Sequence, residues 1–298
     1  MVTEIINQIK FTSIELFGSL PIFAAALAIL WLGKVIYNKT TSFCFHEELT
    51  EKDNSALGTV LTGYLIGLGI ALTGAIQAAF GQTLQDGLIS LAFSGALAIV
   101  LMRVSIIIND KLILHKFKVY KELIDDRNSG TGFVISGSAI ATGLMLAGVL
   151  TGESESWATA VADTLIYWAA GQLILIIGAY IFSLTCGYDI HKVIEDDDNL
   201  PAGISFGGFL IALGIISYGC LKGATSNIQA ELILTSIAAV FGIILLISSS
   251  VVCDKLLLPK SQFIKEIVID KNIAAGTVSL AVFISVGTLL AAIINTSL

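Results

Sequence analysis

The chain has 298 residues, of which 55% are hydrophobic and only 13% are charged, and its formal net charge is −7. Soluble domains carry about 25% charged residues, so this composition excludes an ordinary soluble protein. No basic stripe or RNA-binding motif is present, and we therefore expect no nucleic acid partner.

The apolar residues form eight runs of about twenty residues, the length needed to cross a bilayer. They lie near 16–37, 56–79, 87–108, 130–150, 160–184, 201–221, 231–252 and 274–295. The segment before the first run contains Glu4 as well as Lys10, and no small-residue cleavage site follows a short apolar region, so we expect this run to be retained in the mature protein. These features predict an all-α, polytopic membrane protein with eight transmembrane helices.

An asparagine precedes each even-numbered run, and the four asparagines are 74, 71 and 73 residues apart. All sixteen positions at offsets +4, +9, +15 and +20 from them are Gly or Ala. Such regularity identifies a fourfold internal repeat. We interpret it as four parallel helix pairs related by an axis along the membrane normal. The asparagines are Asn54, Asn128, Asn199 and Asn272, and the small residues are Gly58, Gly63, Gly69, Gly74, Gly132, Gly137, Gly143, Gly148, Gly203, Gly208, Gly214, Gly219, Gly276, Ala281, Gly287 and Ala292.

The asparagines and the glycines each have a structural explanation and a functional alternative. An asparagine side chain can accept a hydrogen bond from an unpaired N–H of the first helical turn, which is valuable in lipid. A role in ligand binding is the alternative. The glycines fall on two opposite flanks of each even-numbered helix and predict close packing between two neighbours. Alternatively, they let helices slide or expose backbone to a permeant species.

Long linkers follow the odd-numbered runs, and fourteen of the sixteen Lys and Arg residues lie in or beside them. The positive-inside rule therefore predicts that the linkers are cytoplasmic and that both termini are extracytoplasmic. The linkers end in charged, partly amphipathic stretches such as 45–54, 120–128 and 263–272. We expect short interfacial helices there.

Each odd-numbered run opens with an acidic residue, and two explanations remain open. The carboxylates can stabilise helix N-termini through the helix dipole. Alternatively, they form a loose ring at the mouth of a cation path. The four residues are Glu15, Asp86, Asp163 and Glu231.

No nucleotide-binding loop, nucleophile elbow, metalloprotease motif or dinucleotide fingerprint is present. The three histidines lie on linkers, where a position on the solvated surface explains them more simply than a metal site does. We therefore expect no enzymatic activity, no cofactor, no catalytic residues and no metal.

The stretches 53–76 and 270–294 resemble the YjfL-like bacterial inner-membrane family, domain of unknown function 350. The chain is similar to two such domains in tandem, at 10–151 and 157–298. This resemblance implies a multi-pass protein of the bacterial plasma (inner) membrane without established chemistry, linked to envelope stress.

Two functions are compatible with these features. The first is a channel or transporter for a cation or small solute. The alternative is a non-transporting scaffold in the lipid bilayer that docks cytoplasmic stress-response or membrane-remodelling proteins on its linkers. Self-association into a homo-oligomer fits either function. A continuous polar path would favour transport, whereas a dry, glycine-packed centre would favour the scaffold.

Overall fold

The computed structural model describes residues 17–152, 156–221, 228–257 and 262–297. Eight of the helices in these ranges are long and apolar enough to span a membrane, which confirms the all-α, multi-pass architecture. In chain order the α-helices are α1 Leu20–Lys39, α2 Phe45–Thr50, α3 Ser55–Ala79, α4 Leu84–Leu112, α5 Val119–Ile124, α6 Ser129–Val149, α7 Trp157–Thr185, α8 Ile190–Glu195, α9 Leu200–Leu221, α10 Ile228–Leu257 and α11 Ile273–Ser297.

The linkers of the four repeats share one backbone course. Helices α2, α5 and α8 each begin nine residues before a capping asparagine and end four residues before it. The fourth linker instead has a π-helical turn at Lys265–Ile269. The residue just before each asparagine has a positive φ between 47° and 54°. Non-glycine residues seldom adopt this conformation, so its fourfold recurrence shows that the same turn is built each time. These residues are Asp53, Arg127, Asp198 and Lys271.

The membrane helices form two layers. Helices α3, α6, α9 and α11, here called the glycine helices, all start at the linker side and stand side by side in that order. Helices α1, α4, α7 and α10, here called the flanking helices, pack along this row. Helix α4 contacts α3 and α6, α7 contacts α6 and α9, and α10 contacts α9 and α11. Each flanking helix after the first therefore lies over the joint between two glycine helices.

Backbone-to-backbone contact holds the row of glycine helices together. Offsets +4 and +15, here called the first seam, face the preceding glycine helix, whereas offsets +9 and +20, the second seam, face the following one. A Cβ atom built on Gly132 would lie 2.7 Å from the carbonyl oxygen of Ala56, and one built on Gly137 would lie 2.5 Å from that of Gly207. The backbones therefore approach too closely for any side chain to fit at these positions.

The two layers are joined differently, by large side chains that enter at glycines. Cβ positions built on Gly171 and Gly242 of the flanking helices would overlap the side chains of Met145 and Ile216, respectively. At Gly33 of α1, the hydroxyl of Tyr64 also donates a hydrogen bond to the glycine carbonyl, at 3.2 Å. The flanking helices are thus fitted to the row by shape, while most of their outward residues are exposed.

We predict that Gly137→Ala lowers the free energy of unfolding by about 1–3 kcal/mol, because a Cβ there overlaps the Gly207 backbone, which cannot rotate away. Thermal unfolding of the purified protein in detergent measures the effect. The control is Leu144→Met, a volume-conserving change at a half-buried position of the same helix. Equal melting temperatures for Gly137→Ala and the unsubstituted protein would contradict the close packing.

Candidate functional site: the linker layer and its capping asparagines

The four asparagine side chains lie where each linker meets a glycine helix. The Oδ1 atom of Asn54 accepts the Leu57 N–H at 3.1 Å, and that of Asn128 accepts the Thr131 N–H at 3.0 Å. In the third and fourth copies, the Oδ1 atoms accept the N–H groups of Ala202 and Ala274. Each side chain therefore supplies a hydrogen bond that the first turn of its helix lacks.

The amide nitrogens of three asparagines connect successive repeats. Asn54 Nδ2 donates to the Leu123 carbonyl at 2.8 Å, Asn128 Nδ2 to the Ile194 carbonyl at 2.6 Å and Asn199 Nδ2 to the Ile267 carbonyl at 2.9 Å. In each case the acceptor lies five residues before the next asparagine. We call these three hydrogen bonds the cap relay. The three side chains are buried, so each of these bonds is protected from water.

A glutamate six residues before the asparagine completes the site in three copies. Its Oε2 atom accepts from the asparagine Nδ2 at 3.0 Å for Glu48, 2.9 Å for Glu122 and 2.8 Å for Glu266. In the third copy Val193 takes this place, and Asn199 Nδ2 instead lies 3.5 Å from the carbonyl oxygen of Val268. The sequence spacing aligns the three glutamates, but it does not predict their hydrogen bonds to the asparagines.

Equivalent glutamates differ in their ionisation. A hydrogen bond from Lys52, whose Nζ lies 2.8 Å from the carboxylate, holds the pKa of Glu48 below its usual value of 4.5. For Glu122, burial raises the pKa, and the nearest ammonium, that of Lys121, is 3.8 Å away. Glu48 is therefore stabilised as a carboxylate, whereas ionisation of Glu122 opposes folding.

The second and third linkers are also joined directly. His191 is buried, its Nε2 lies 2.8 Å from the Ile113 carbonyl oxygen, and its ring meets that of His115 with centroids 4.8 Å apart. Lys116 forms an ion pair with Asp189 at 2.9 Å. Burial lowers the pKa of His191, which favours the neutral imidazole. No group of three or more His, Cys, Asp and Glu residues with the geometry for a metal occurs in the part of the chain described.

The predicted cation ring lies at the opposite side of the membrane helices. Glu15 falls outside the described residues. Asp86 is exposed and accepts a hydrogen bond from the Thr83 hydroxyl at 2.6 Å. Asp163 lies one turn before Tyr167 on α7, and the Tyr167 hydroxyl donates to the carboxylate of Glu231 on α10. The structure thus brings Glu231 against α7 and places Asp86 in a local cap, and the ring itself stays a prediction.

A second set of polar residues, which follow no repeated spacing in the sequence, lies between α4, α6 and α7. The Trp168 indole donates to Ser105 Oγ at 2.8 Å, and Gln172 Nε2 donates to Thr142 Oγ1 at 3.2 Å. Nearer the linkers, Asn109 is buried, and neither end of its amide has a hydrogen-bond partner among the described residues. It borders a cavity of about 10 Å³, room for about one water molecule.

Arg103 is another buried polar residue near the linker side. Its Nε donates to the Thr40 hydroxyl at 2.8 Å, and its guanidinium lies 4.3 Å from the centre of the Tyr37 ring. Hydrogen bonding and a cation–π contact together compensate for the loss of water around the charge. This residue fastens α4 to the end of α1.

Comparison with known proteins agrees with the repeated architecture. The model of the family described as Domain of Unknown Function (DUF350) matches residues 12–150 and 156–294, each segment containing two helix pairs. The chain belongs to this family. It is also 23% identical to a "UPF0719 transmembrane protein" of Aquifex aeolicus (strain VF5), over 87% of this chain and 94% of that protein. No solved structure matches the chain significantly.

Each DUF350 unit therefore contains one complete cap relay bond within it, and a third such bond joins the two units. Asn54 reaches Leu123 inside the first unit, and Asn199 reaches Ile267 inside the second. Asn128 in the first unit reaches Ile194 in the second. The joint between units repeats the joints within them, so the tandem units form one continuous row.

We predict that Asn128→Asp is destabilising at neutral pH although aspartate caps helices as well as asparagine does. The carboxylate retains the acceptor for Thr131 but cannot donate to Ile194, and it faces the Glu122 carboxylate. We expect a loss of about 1–3 kcal/mol, since a buried acceptor is left unpaired.

Unfolding at pH 7.5 and pH 5 tests the role of that bond in the cap relay. Recovery of stability at the lower pH is expected, because a protonated aspartate can donate again. A variant as stable as the unsubstituted protein at pH 7.5 would show that only the helix cap matters.

We also predict opposite outcomes for Glu48→Gln and Glu122→Gln at pH 7.5. The depressed pKa of Glu48 means that its carboxylate adds stability above the unfolded pKa, and this stability is lost as pH falls. The raised pKa of Glu122 means that stability is lost as pH rises through the folded-state pKa.

Glutamine retains an acceptor oxygen in both variants, so they form a matched pair. Glu48→Gln should lower the melting temperature, and Glu122→Gln should leave it unchanged or raise it. The difference should shrink as pH falls below the ordinary glutamate pKa of 4.5, because Glu122 is then protonated and the stability contributed by the Glu48 carboxylate is progressively lost. Two equal decreases at pH 7.5 would contradict the assignment.

Proposed function

We propose that this chain is a non-transporting scaffold of the bacterial plasma membrane whose four linkers form a docking layer on the cytoplasmic face. The observation that carries the proposal is the closed packing of the glycine helices, in which one backbone lies against the next at every internal joint. Helices in such contact leave no path between them for a hydrated ion. The cytoplasmic orientation is supported by the fourteen basic residues in or beside the linkers.

The order within the linkers supports the same proposal. The cap relay, the Lys116–Asp189 ion pair and a hydrogen bond from Lys271 to the Asp197 carbonyl fix four linkers in one layer. A pre-organised layer loses little conformational entropy when a partner binds. Exposed acids project from the turns of this layer, so a basic segment of a stress-response or membrane-remodelling protein is the complementary partner. These acids are Asp125, Asp126, Asp196, Asp197 and Asp198.

Transport of a cation or small solute is the second candidate. The buried amide of Asn109 and the neighbouring cavity of about 10 Å³ favour it, because a polar cavity between helices is where a permeant species would bind. The cavity has room for only about one water molecule, so transport requires the contact between α4 and α6 to widen.

Reconstitution into liposomes separates the two functions. The scaffold predicts no flux of K⁺, Na⁺ or H⁺ above that of protein-free vesicles at any imposed potential or pH. The matched control for Asn109→Leu is Val100→Leu, a change at an exposed position of the same helix. A flux that Asn109→Leu reduces and Val100→Leu does not would contradict the scaffold and support the transporter.

Docking is tested with the same vesicles and the soluble proteins of the source organism. Replacement of Asp196, Asp197 and Asp198 by Asn should release bound proteins at unchanged melting temperature, because these acids are exposed. Asp86→Asn, on the opposite side, is the control and should retain them. Binding that is insensitive to the linker substitutions would remove the docking layer from the proposal.

A further inference from the structure

The row of glycine helices has two different open ends. At the α3 end, no helix among the described residues lies against the first seam: a Cβ built on Gly69 meets none of their atoms within 4 Å, and one built on Gly58 meets only Leu49 of its own linker. At the α11 end, Ala281 of the second seam is exposed, as are Ala274 and Ser285 on the same side. One end thus presents a first seam and the other a second seam, the two halves of every internal joint.

The internal joints fix the register in which such seams meet. In all three, offset +4 lies against offset +2 of the preceding helix, offset +15 against +13, and offset +9 against +8 of the following helix. The same register would pair Gly58 with Ala274, Gly69 with Ser285, and Thr62 with Ala281. Each of these residues is small or a threonine, and Thr62 is exposed on α3. The two open ends therefore match in the size of their side chains as well as in the type of seam.

Hydrogen bonding gives an independent indication. Asn54, Asn128 and Asn199 each donate from Nδ2 to the following linker, whereas Asn272 Nδ2 donates, among the described residues, only to Glu266 of its own linker. The acceptor that the relay would use next is the carbonyl five residues before Asn54, which belongs to Leu49. No hydrogen bond to the Leu49 carbonyl is formed by the residues described. The last donor and the first acceptor of the relay are thus at opposite ends of the row.

We propose that copies of this chain associate head to tail, with α11 of one copy packed on α3 of the next in the register of the internal joints. Asn272 of one copy donates to the Leu49 carbonyl of the other, which extends the cap relay across the interface. All glycine helices start at the same side, so every copy keeps one orientation in the membrane. Such a heterologous interface produces a ring if the rotation closes and a continuing row if it does not. The proposal is independent of whether the protein is a scaffold or a transporter.

Cysteine cross-linking tests the register directly. Two differently tagged copies, one with Thr62→Cys and one with Ala281→Cys, are co-expressed with the native cysteines replaced by serine, and membranes are oxidised. We expect about tenfold more disulfide-linked product than for Val100→Cys with Ala281→Cys, because only residues whose Cα atoms are within about 7 Å can be bridged. A disulfide between two copies that both carry Thr62→Cys would instead show a two-fold, head-to-head dimer and overturn the proposal.

A second measurement needs no cysteine replacement. The mass of the protein in lipid nanodiscs should correspond to several copies of the 31.4 kDa chain. Thr62→Trp should reduce it to one copy at unchanged melting temperature, because Thr62 is exposed within a single chain. Val100→Trp, at a position that is also exposed but lies on α4, is the control and should retain the larger mass. A single-copy mass for the unsubstituted protein, or retention of the larger mass in Thr62→Trp, would overturn the proposal.

Discussion

The architecture depends on how closely the backbones of the glycine helices approach one another. Lipid tails are as apolar as leucine side chains, so no hydrophobic force draws helices together inside a bilayer. Attraction must come from many short contacts between helix surfaces. At the internal joints the first seam of one helix lies on the backbone of its neighbour, as Gly143 does on Gly67. Dispersion and weak Cα–H···O contacts are strongest at this separation.

Close approach creates an electrostatic problem that the linker layer solves. Four parallel helices bring four positively polarised N-termini together, each with unpaired N–H groups. The asparagines accept hydrogen bonds from these groups, and Glu48, whose lowered pKa favours the carboxylate, brings negative charge to one of the four termini. The asparagine side chains also donate hydrogen bonds to the neighbouring linker in three copies. Helix capping, charge compensation and connection of the repeats are therefore performed by one small set of residues.

The helices, the fourfold repeat and the positions of the short linker helices could be predicted from the sequence, because apolar run length and the Asn–Gly spacing are local signals. The cap relay could not, since the Ile194 carbonyl is 66 residues from Asn128 and becomes a neighbour only after the helices are arranged in a row. The π-helical turn at Lys265–Ile269 departs from the three α-helical linkers without a distinguishing motif. The hydrogen-bond partners of Trp168 and Gln172 could not be predicted either, because single polar residues in apolar runs form no pattern.

The direction of the cap relay has a consequence for biosynthesis. Asn54, Asn128 and Asn199 each donate to a carbonyl that lies 66 to 69 residues later in the chain, so these glycine helices are synthesised before the acceptor exists. The cap relay bond from Asn54 can form only after the second linker is made, and that from Asn128 only after the third is made. The hydrogen bonds of the cap relay therefore become available one after another, in the order in which the linkers are translated.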